Sequence, residues 1–253
     1  IAILLGLGVL VALLLFALSG GREALQAFRG VNLQPILLAI LIHYSGFAVR
    51  GHRWQQILRV MGHRLRYLPV LALMLAGWFI SALVPARAGD ILRVVALRAG
   101  YGSNAPHTEA SGDAPSIPVA DGLGSIVLER MLDMLAILLL GTTFGLVALR
   151  GALPQWVIAT YIAALALLLI FCVALVVAPP LMHWLRLLWQ HRRWQQALDF
   201  VTRFVESLRA LAHQPGRAVL VVGESLYIWL CDALLLWLVL RGLHQSLDFG
   251  WAA

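Results

Sequence analysis

The stretch "SALVPARAGDILRVVALR" (residues 81–98) decides the fold, because it places charges and a helix breaker inside an apolar region. Arg87, Asp90 and Arg93 all lie within eight residues of Pro85. Proline removes a backbone donor and clashes with the preceding turn, so the helix that leads into this stretch is expected to end there. A new helix is expected to begin at Asp90, since aspartate is a favoured N-cap residue.

The composition around this stretch is that of a helical membrane protein. Of the 253 residues, 61% are hydrophobic and only 12% are charged, and the mean hydropathy is +0.87. Several apolar runs reach the roughly 20 residues that a helix needs to cross a bilayer. The sequence therefore predicts an all-α, polytopic integral membrane bundle.

Three kinds of segment can be distinguished along the chain. The apolar regions lie at about 1–19, 33–49, 67–97, 121–149, 154–178 and 217–241. Segment 99–120 is polar and rich in Pro, Gly and Ser, which predicts a mobile loop. Segment 181–214 repeats charged residues every three or four positions opposite a Leu, Trp and Phe face. This pattern predicts an amphipathic helix in the membrane interface, and it favours that position over the binding of a partner helix.

The distribution of arginine predicts how the chain is threaded. All nineteen basic residues are arginine, with five in 50–66 and six in 181–217. Basic loops stay on the cytoplasmic side, so an even number of crossings should separate these two segments. Three apolar regions lie between them, so one region is expected to enter the membrane and return. Region 67–97 is the better candidate because it contains the break, while 121–149 is the other. The alternative is an orientation that violates the arginine bias once.

A second group of charges lies within the apolar region 121–149. Glu129 and Asp133 are four residues apart and share a helix face, while Arg130 and Asp133 are three apart and can pair. A charge near the bilayer centre costs about 2.5–3.5 kcal/mol on insertion scales. Such charges persist when they are paired or face a cavity, so these residues are expected to do one or the other.

Two interpretations of the charges remain open from the residues alone. In the first, the helix break is an anion-binding pocket lined by Arg87 and Arg93, because free N–H groups at a helix start attract anions. In the second, three arginines and three acids sum to zero and lock two helices together as a buried ion-pair network. Asp232, and Glu224 two turns before it, either face the same cavity or pair with arginine.

Other chemistry finds little support in the sequence. Cys172 and Cys231 both lie in apolar runs, and no group of residues has the spacing of a metal site. Neither a nucleophile elbow nor a nucleotide-binding glycine motif is present. We therefore expect no metal, no cofactor and no enzymatic activity. The net charge of +7 is explained by cytoplasmic loops, so nucleic-acid binding is not expected.

Three motifs in order give a resemblance to a known family. They fall on Arg53 and Trp54, on Pro85, Arg87, Gly89, Asp90 and Arg93, and on Glu129, Arg130 and Asp133. This order resembles the flippase-like family, which includes the lysylphosphatidylglycerol synthase transmembrane region and the archaeal dolichol-phosphate-glucose synthase-like proteins. The family's later Pro-Gly-Gly-x-Gly segment does not occur. Residues 1–253 are therefore expected to be a single transmembrane domain, truncated at both ends.

The resemblance implies a multi-pass protein of the bacterial inner membrane that binds or translocates lipids. Phospholipids, aminoacyl-phospholipids, glycolipids and polyprenyl-phosphate lipids are the expected classes, and the arginines would contact the headgroup while the acids position them. The predicted headgroup-binding residues are Arg53, Arg87, Asp90, Arg93, Glu129, Arg130, Asp133 and Asp232, with Pro85 and Gly89 as the structural break.

Two other functions remain as alternatives at this stage. One is a membrane-embedded transferase acting on a polyprenyl-phosphate lipid, and the other is a non-catalytic scaffold subunit of a membrane complex. A scaffold predicts that the charges pair fully with no cavity between them. Whether the chain pairs with a second copy or with a partner membrane subunit is left open.

Overall fold

Helices account for all the regular structure in the described part of the chain. The computed structural model describes residues 31–84, 87–102, 116–149, 155–188 and 192–243, together with Leu14. Its helices are α1 (Leu33–Val60), α2 (Tyr67–Leu83), α3 (Ala88–Arg98), α4 (Val119–Leu149), α5 (Gln155–Leu188), α6 (Arg192–Arg209) and α7 (Pro215–Gly242). The prediction of an all-α membrane protein is confirmed. The predicted span 1–19 lies outside the described residues, apart from Leu14.

Three of the described helices are long and apolar enough to cross a membrane: α1, residues Gln155–Leu185 of α5, and α7. Helices α1 and α7 pack against each other in opposite directions. The backbone N–H of Asn32 donates to the Gly242 carbonyl over 3.0 Å. Further along, a Cβ on Gly46 would lie 3.5 Å from that of Cys231. This antiparallel pair is the frame on which the other helices lie.

Helix α1 extends well beyond the predicted apolar run 33–49. Segment 50–66 was expected to be a basic loop, but the helix continues to Val60. Arg50 and Arg53 are only 6% and 1% exposed, so they lie inside the protein rather than in a loop. The expectation was wrong because arginines that are paired within a helix core look, in sequence, like arginines exposed at a membrane surface.

The second half of α1 is buried between two hydrophobic clusters. One cluster joins it to α2 and α3 and consists of Trp54, Leu58, Leu65, Val70, Leu73, Met74, Leu97 and Ile117. The other joins it to α4, α6 and α7 and includes Ile57, Val60, Leu128, Leu132, Leu208, Leu211 and Val221. Packing on both sides keeps α1 helical through its polar stretch and fixes the direction of its arginines.

Helices α2 and α3 form a hairpin whose two ends meet. The backbone N–H of Arg66, just before α2, donates to the Gly102 carbonyl, just after α3, over 3.3 Å. Leu73 of α2 and Leu97 of α3 lie in the same buried cluster. The chain therefore leaves and returns at the same end of the bundle. That region 67–97 enters the membrane and returns, as the arginine distribution predicts, stays a prediction.

The turn of this hairpin differs from the predicted helix break. Pro85, which was expected to cause it, lies outside the described residues. Val84 is extended, and Arg87 adopts the left-handed conformation with φ 54° and ψ 40°. Arg87 is therefore the N-cap of α3, and the prediction that this helix begins at Asp90 is wrong. Asp90 lies instead within the first helical turn, where a carboxylate complements the helix dipole.

The predicted amphipathic segment 181–214 is divided between two helices. Helix α5 continues through Pro179 and Pro180 to Leu188, and α6 is the charged, amphipathic helix. Helix α6 lies on the start of α4, where the Ser207 hydroxyl donates to the Asp121 carboxylate over 2.6 Å. Its position in the membrane interface stays a prediction. Of the predicted mobile loop 99–120, residues 103–115 lie outside the described part.

Candidate functional site

Six charged residues from α1, α3 and α4 form a closed ring of ion pairs, which we call the charge ring. Its members in order are Arg53, Glu129, Arg93, Asp90, Arg130 and Asp133. Each arginine lies between two acids and each acid between two arginines, with every nitrogen–oxygen separation between 2.7 and 3.5 Å. The ring has a formal charge of zero and joins all three helices.

Arg53 is the most completely bonded member of the charge ring. Its Nη1 donates to Asp133 Oδ1 over 2.7 Å and to the Ser225 hydroxyl over 2.8 Å, while its Nη2 lies 3.5 Å from Glu129 Oε1. The serine belongs to α7, so this one side chain connects α1, α4 and α7. Its Nε has no partner among the described residues, but both terminal nitrogens are engaged, as expected of a buried structural group that orients its neighbours.

Arg93 occupies the opposite side of the ring and is equally buried. Its Nη2 donates to Glu129 Oε2 over 2.7 Å, and its Nη1 donates to Asp90 Oδ1 over 3.3 Å. The guanidinium carbon lies 3.9 Å from the centre of the Trp54 ring, whose N–H in turn donates to Ser125 over 3.1 Å. The Trp54 indole stacks against the Arg93 guanidinium, so α3 is held against α1 and α4.

Arg130 completes the ring at its open edge. It lies 3.4 Å from both Asp90 and Asp133, and its side chain is 36% exposed. The local pairs predicted from spacing, Asp90 with Arg93 and Arg130 with Asp133, are both present. The predicted neutral set of six contained Arg87, however, and the structure puts Arg53 in that place.

Arg87 lies outside the ring and forms no ion pair with any residue of the described ranges. Its side chain is exposed and lines two neighbouring cavities, of about 630 and 360 Å³. The predicted structural break contributes through Gly89, whose N–H donates to the Ser81 hydroxyl over 3.2 Å and so holds the hairpin turn closed. Arg87 is thus presented at the turn, and its guanidinium has no ion-pair partner in the part of the chain that the structure describes.

The larger cavity is lined by both charged and apolar side chains. The charged residues are Arg50, Arg87, Glu129, Arg130, Asp133 and Asp232, and the others are Trp78, Met134, Ile137, Leu138, Thr160, Tyr161, Ala164 and Trp229. The smaller cavity shares Trp78, Arg87 and Arg130 with it. A cavity lined by both kinds of side chain has the chemistry of an amphiphile site.

Arg50 and Asp232, which both line the larger cavity, form a second, separate ion pair. Arg50 Nη2 donates to Asp232 Oδ2 over 2.5 Å, and its guanidinium lies 5.2 Å from the Trp78 ring centre. Its Nη1 is buried and has no hydrogen-bond partner among the described residues. Asp232 also lies 3.7 Å from His43. Of the two readings of Asp232, the structure supports both, since it pairs with arginine and lines the cavity.

The six charged residues that line the larger cavity, three arginines and three acids, sum to zero. Arg130, Glu129 and Asp133 belong to the charge ring and Arg50 pairs with Asp232, which leaves Arg87 as the lining residue without an ion pair among the described residues. Two further donors of lining arginines, Arg50 Nη1 and Arg130 Nε, are buried and have no hydrogen-bond partner among the described residues. Within those residues, the site therefore offers an anion the Arg87 guanidinium and these two N–H groups.

One comparison with known proteins identifies the family. The family model described as the lysylphosphatidylglycerol synthase TM region matches residues 3–253. The chain belongs to this family. The resemblance based on the three motifs is thereby confirmed, and with it a membrane location and a function related to membrane lipids. No curated protein and no solved structure matches the chain.

Several residues that line the larger cavity were not identified from the sequence. Arg50 lies three residues before Arg53 on the same helix face, so helical spacing could have identified it had α1 been extended past residue 49. Trp78, Tyr161 and Trp229 carried no signal, since an aromatic residue in an apolar run is ordinarily packing. Among the described residues, no three His, Cys, Asp or Glu side chains come together as a metal site requires.

Proposed function

We propose that this protein binds the anionic headgroup of a membrane lipid in the larger cavity and moves that lipid between the leaflets of the bacterial inner membrane. The observation that carries the proposal is Arg87, an arginine free of ion pairs within the described ranges, which lines a cavity that apolar side chains also line. Arginine presents a fork of N–H donors that matches phosphate oxygens. A transporter rather than an enzyme is proposed.

The size and surroundings of the cavity support a lipid rather than a small polar anion. Its volume of about 630 Å³ lies in the range of 300–1,000 Å³ usual for ligand sites. Its apolar wall includes Thr160, Tyr161 and Ala164 of α5, a helix whose most apolar window has no buried residue. A lipid could therefore place its headgroup near Arg87 while its chains extend between α4 and α5 into the bilayer.

The charge ring has a different role in this proposal from the one its motifs implied. Each ring arginine already has two acidic partners, so a phosphate would have to displace a carboxylate in order to bind there. We therefore assign headgroup contact to Arg87 and to the free Nη1 of Arg50, with the exposed edge of Arg130 beside them. The rest of the ring, including Arg53 and Glu129, keeps this surface in place.

The scaffold alternative is less well supported, because it predicted complete pairing without a cavity. The pairing in the ring is complete, but a cavity with a free arginine lies directly beside it. The transferase alternative gains no donor-binding motif from the described residues. Aminoacyl-lipids remain among the candidate substrates, since Asp232 lines the same end of the cavity and could accept from an ammonium group.

Arg87→Ala is expected to slow lipid translocation at least tenfold while leaving the fold intact. The reason is that a hydrogen bond to a charged group contributes about 1.5–3 kcal/mol, and the guanidinium makes no bond to another described residue whose loss would destabilise the protein. The measurement is the translocation rate of a fluorescent phosphatidylglycerol in liposomes reconstituted with purified protein.

Arg98→Ala provides the matched control for this experiment. Arg98 is an exposed arginine of the same helix, and it lines neither cavity. It should translocate lipid at the wild-type rate. If Arg87→Ala also does so, in protein that elutes as a single folded species, the headgroup assignment is wrong.

A further inference from the structure

A second polar site lies beside α1 and α7, away from the lipid cavity. His52 Nδ1 contacts Glu224 Oε1, and His52 Nε2 lies 2.9 Å from the side-chain nitrogen of Gln56. A separate cavity of about 340 Å³ is lined by these two ionisable residues together with Ala48, Val49, Gln55 and Tyr67. Glu224 Oε2 is buried and has no hydrogen-bond partner among the described residues.

The hydrogen bonds fix the proton on the neutral histidine. The Gln56 amide nitrogen is a donor, so His52 Nε2 accepts and Nδ1–H donates to the glutamate. In this state the pair carries one negative charge. A second proton would enter at Nε2, which faces Gln56, after that amide rotates to present its oxygen. The His52 side chain is 42% exposed, so water can reach it.

This site is joined directly to the charge ring. Arg53 follows His52 on α1 and Ser225 follows Glu224 on α7, and Arg53 donates to Ser225 over 2.8 Å. The two helices are thus bridged at consecutive positions, once by the histidine–glutamate pair and once by the ring arginine. A change of charge on the first bridge acts on the second at short range.

We infer that the His52–Glu224 pair binds a proton and that its occupancy sets the affinity of the lipid cavity for an anionic headgroup. Protonation converts the pair from one negative charge to zero, which makes the region beside Arg53 more favourable for an anion. By linkage, headgroup binding must favour proton uptake by the same factor. Proton binding at this site would therefore couple the movement of an anionic lipid to the proton gradient.

The ionisable groups around His52 come from α2, α4 and α7. Tyr67 of α2 faces the His52 ring with centroids 6.4 Å apart, and Glu224 faces it from α7. Glu129 and Asp133 of α4 pair with Arg53, the residue that follows His52 on α1. Of these side-chain types, histidine is the one whose ordinary pKa lies between 5 and 8. Membrane-embedded acid and histidine groups are also the usual elements of proton relays.

The test is the affinity of the purified full chain in detergent for short-chain phosphatidylglycerol at pH 6 and pH 8. This phosphodiester keeps the same charge at both values, so a difference arises from the protein. Wild type should bind more tightly at pH 6, on the order of fivefold. His52→Gln should bind weakly at both pH values, because Glu224 then keeps its negative charge. Glu224→Gln should bind at pH 8 about as tightly as wild type does at pH 6.

His63→Gln is the matched control, since His63 pairs with Asp121 over 2.8 Å without contacting the ring or the lipid cavity. It should retain the wild-type pH response. The inference rests on the proposed lipid function, and the experiment distinguishes the failure of the proton site from the failure of that function. Equal binding by wild type at both pH values, or an unchanged pH response in both variants, overturns the proton site alone. No binding at either pH overturns the proposed function as well.

Discussion

Arg53→Ala is expected to destabilise the protein by about 3–5 kcal/mol, the largest effect of any single arginine replacement in the site. Removing one partner of a buried ion pair leaves the other charge uncompensated, and this loss is far greater than the net worth of the pair. Here Asp133 and Glu129 would each lose one of their two arginine partners, and the Ser225 hydroxyl would lose a donor. Thermal unfolding in detergent, together with the yield of monodisperse protein, measures the effect.

Arg59→Ala is the control for this experiment, because Arg59 lies two turns further along the same helix and belongs to neither the ring nor a cavity. It should change the unfolding temperature little. Arg53→Lys is expected to fall between the two, since a lysine keeps the charge but cannot present the planar fork that meets two acids. Wild-type stability in Arg53→Ala would show that the ring does not hold the three helices together.

Arg53 and Arg87 together separate two roles that the family motifs do not distinguish. Both are motif arginines near the same cavity, but one is enclosed in the ring and the other is free. Loss of the first should lower stability and, through it, transport, whereas loss of the second should lower transport alone. The ring is neutral without Arg87, so replacing Arg87 leaves no ring charge uncompensated.

Features set by local sequence were predictable. Apolar runs identified the membrane class, and the break at 81–98 together with the arginine count favoured 67–97 as the region that turns back to the same side. The pairs Asp90–Arg93 and Arg130–Asp133 followed from helical spacing, because residues three apart lie on one face. Each of these predictions depends on neighbours within one or two turns, or on the overall balance of charge.

Features that depend on how helices rotate against each other were not predictable. Arg53 lies 40 residues from Arg93 and 76 from Glu129, and no local pattern indicates that they meet. For the same reason, the sequence did not indicate that Arg53, and not Arg87, is the third arginine of the charge ring. The extension of α1 was missed for a related reason, since its polar second half is stabilised by packing on both sides rather than by its own hydropathy. The start of α3 was predicted wrongly because Arg87, with its positive φ, takes the N-cap position.

Gly89→Ala is expected to disrupt the hairpin, because a Cβ at this position would collide with the backbone carbonyl of Gly77 on α2. A backbone group cannot move aside as a flexible side chain can, so the two helices must separate. Overpacking costs about 1–3 kcal/mol in a core, and here the shift also displaces Asp90 and Arg93 from the ring. We expect a lower unfolding temperature and loss of lipid translocation together.

Gly223→Ala offers the contrast that makes this prediction specific. Gly223 is also a glycine within a helix, but a Cβ there would meet nothing within 4 Å. Alanine is the better helix former by roughly 0.5–1 kcal/mol, so this variant should be as stable as wild type or slightly more so. If Gly89→Ala were as stable as wild type, the close crossing of α2 and α3 at Gly77 and Gly89 would be contradicted. In that case no rigid turn would present Arg87 to the cavity.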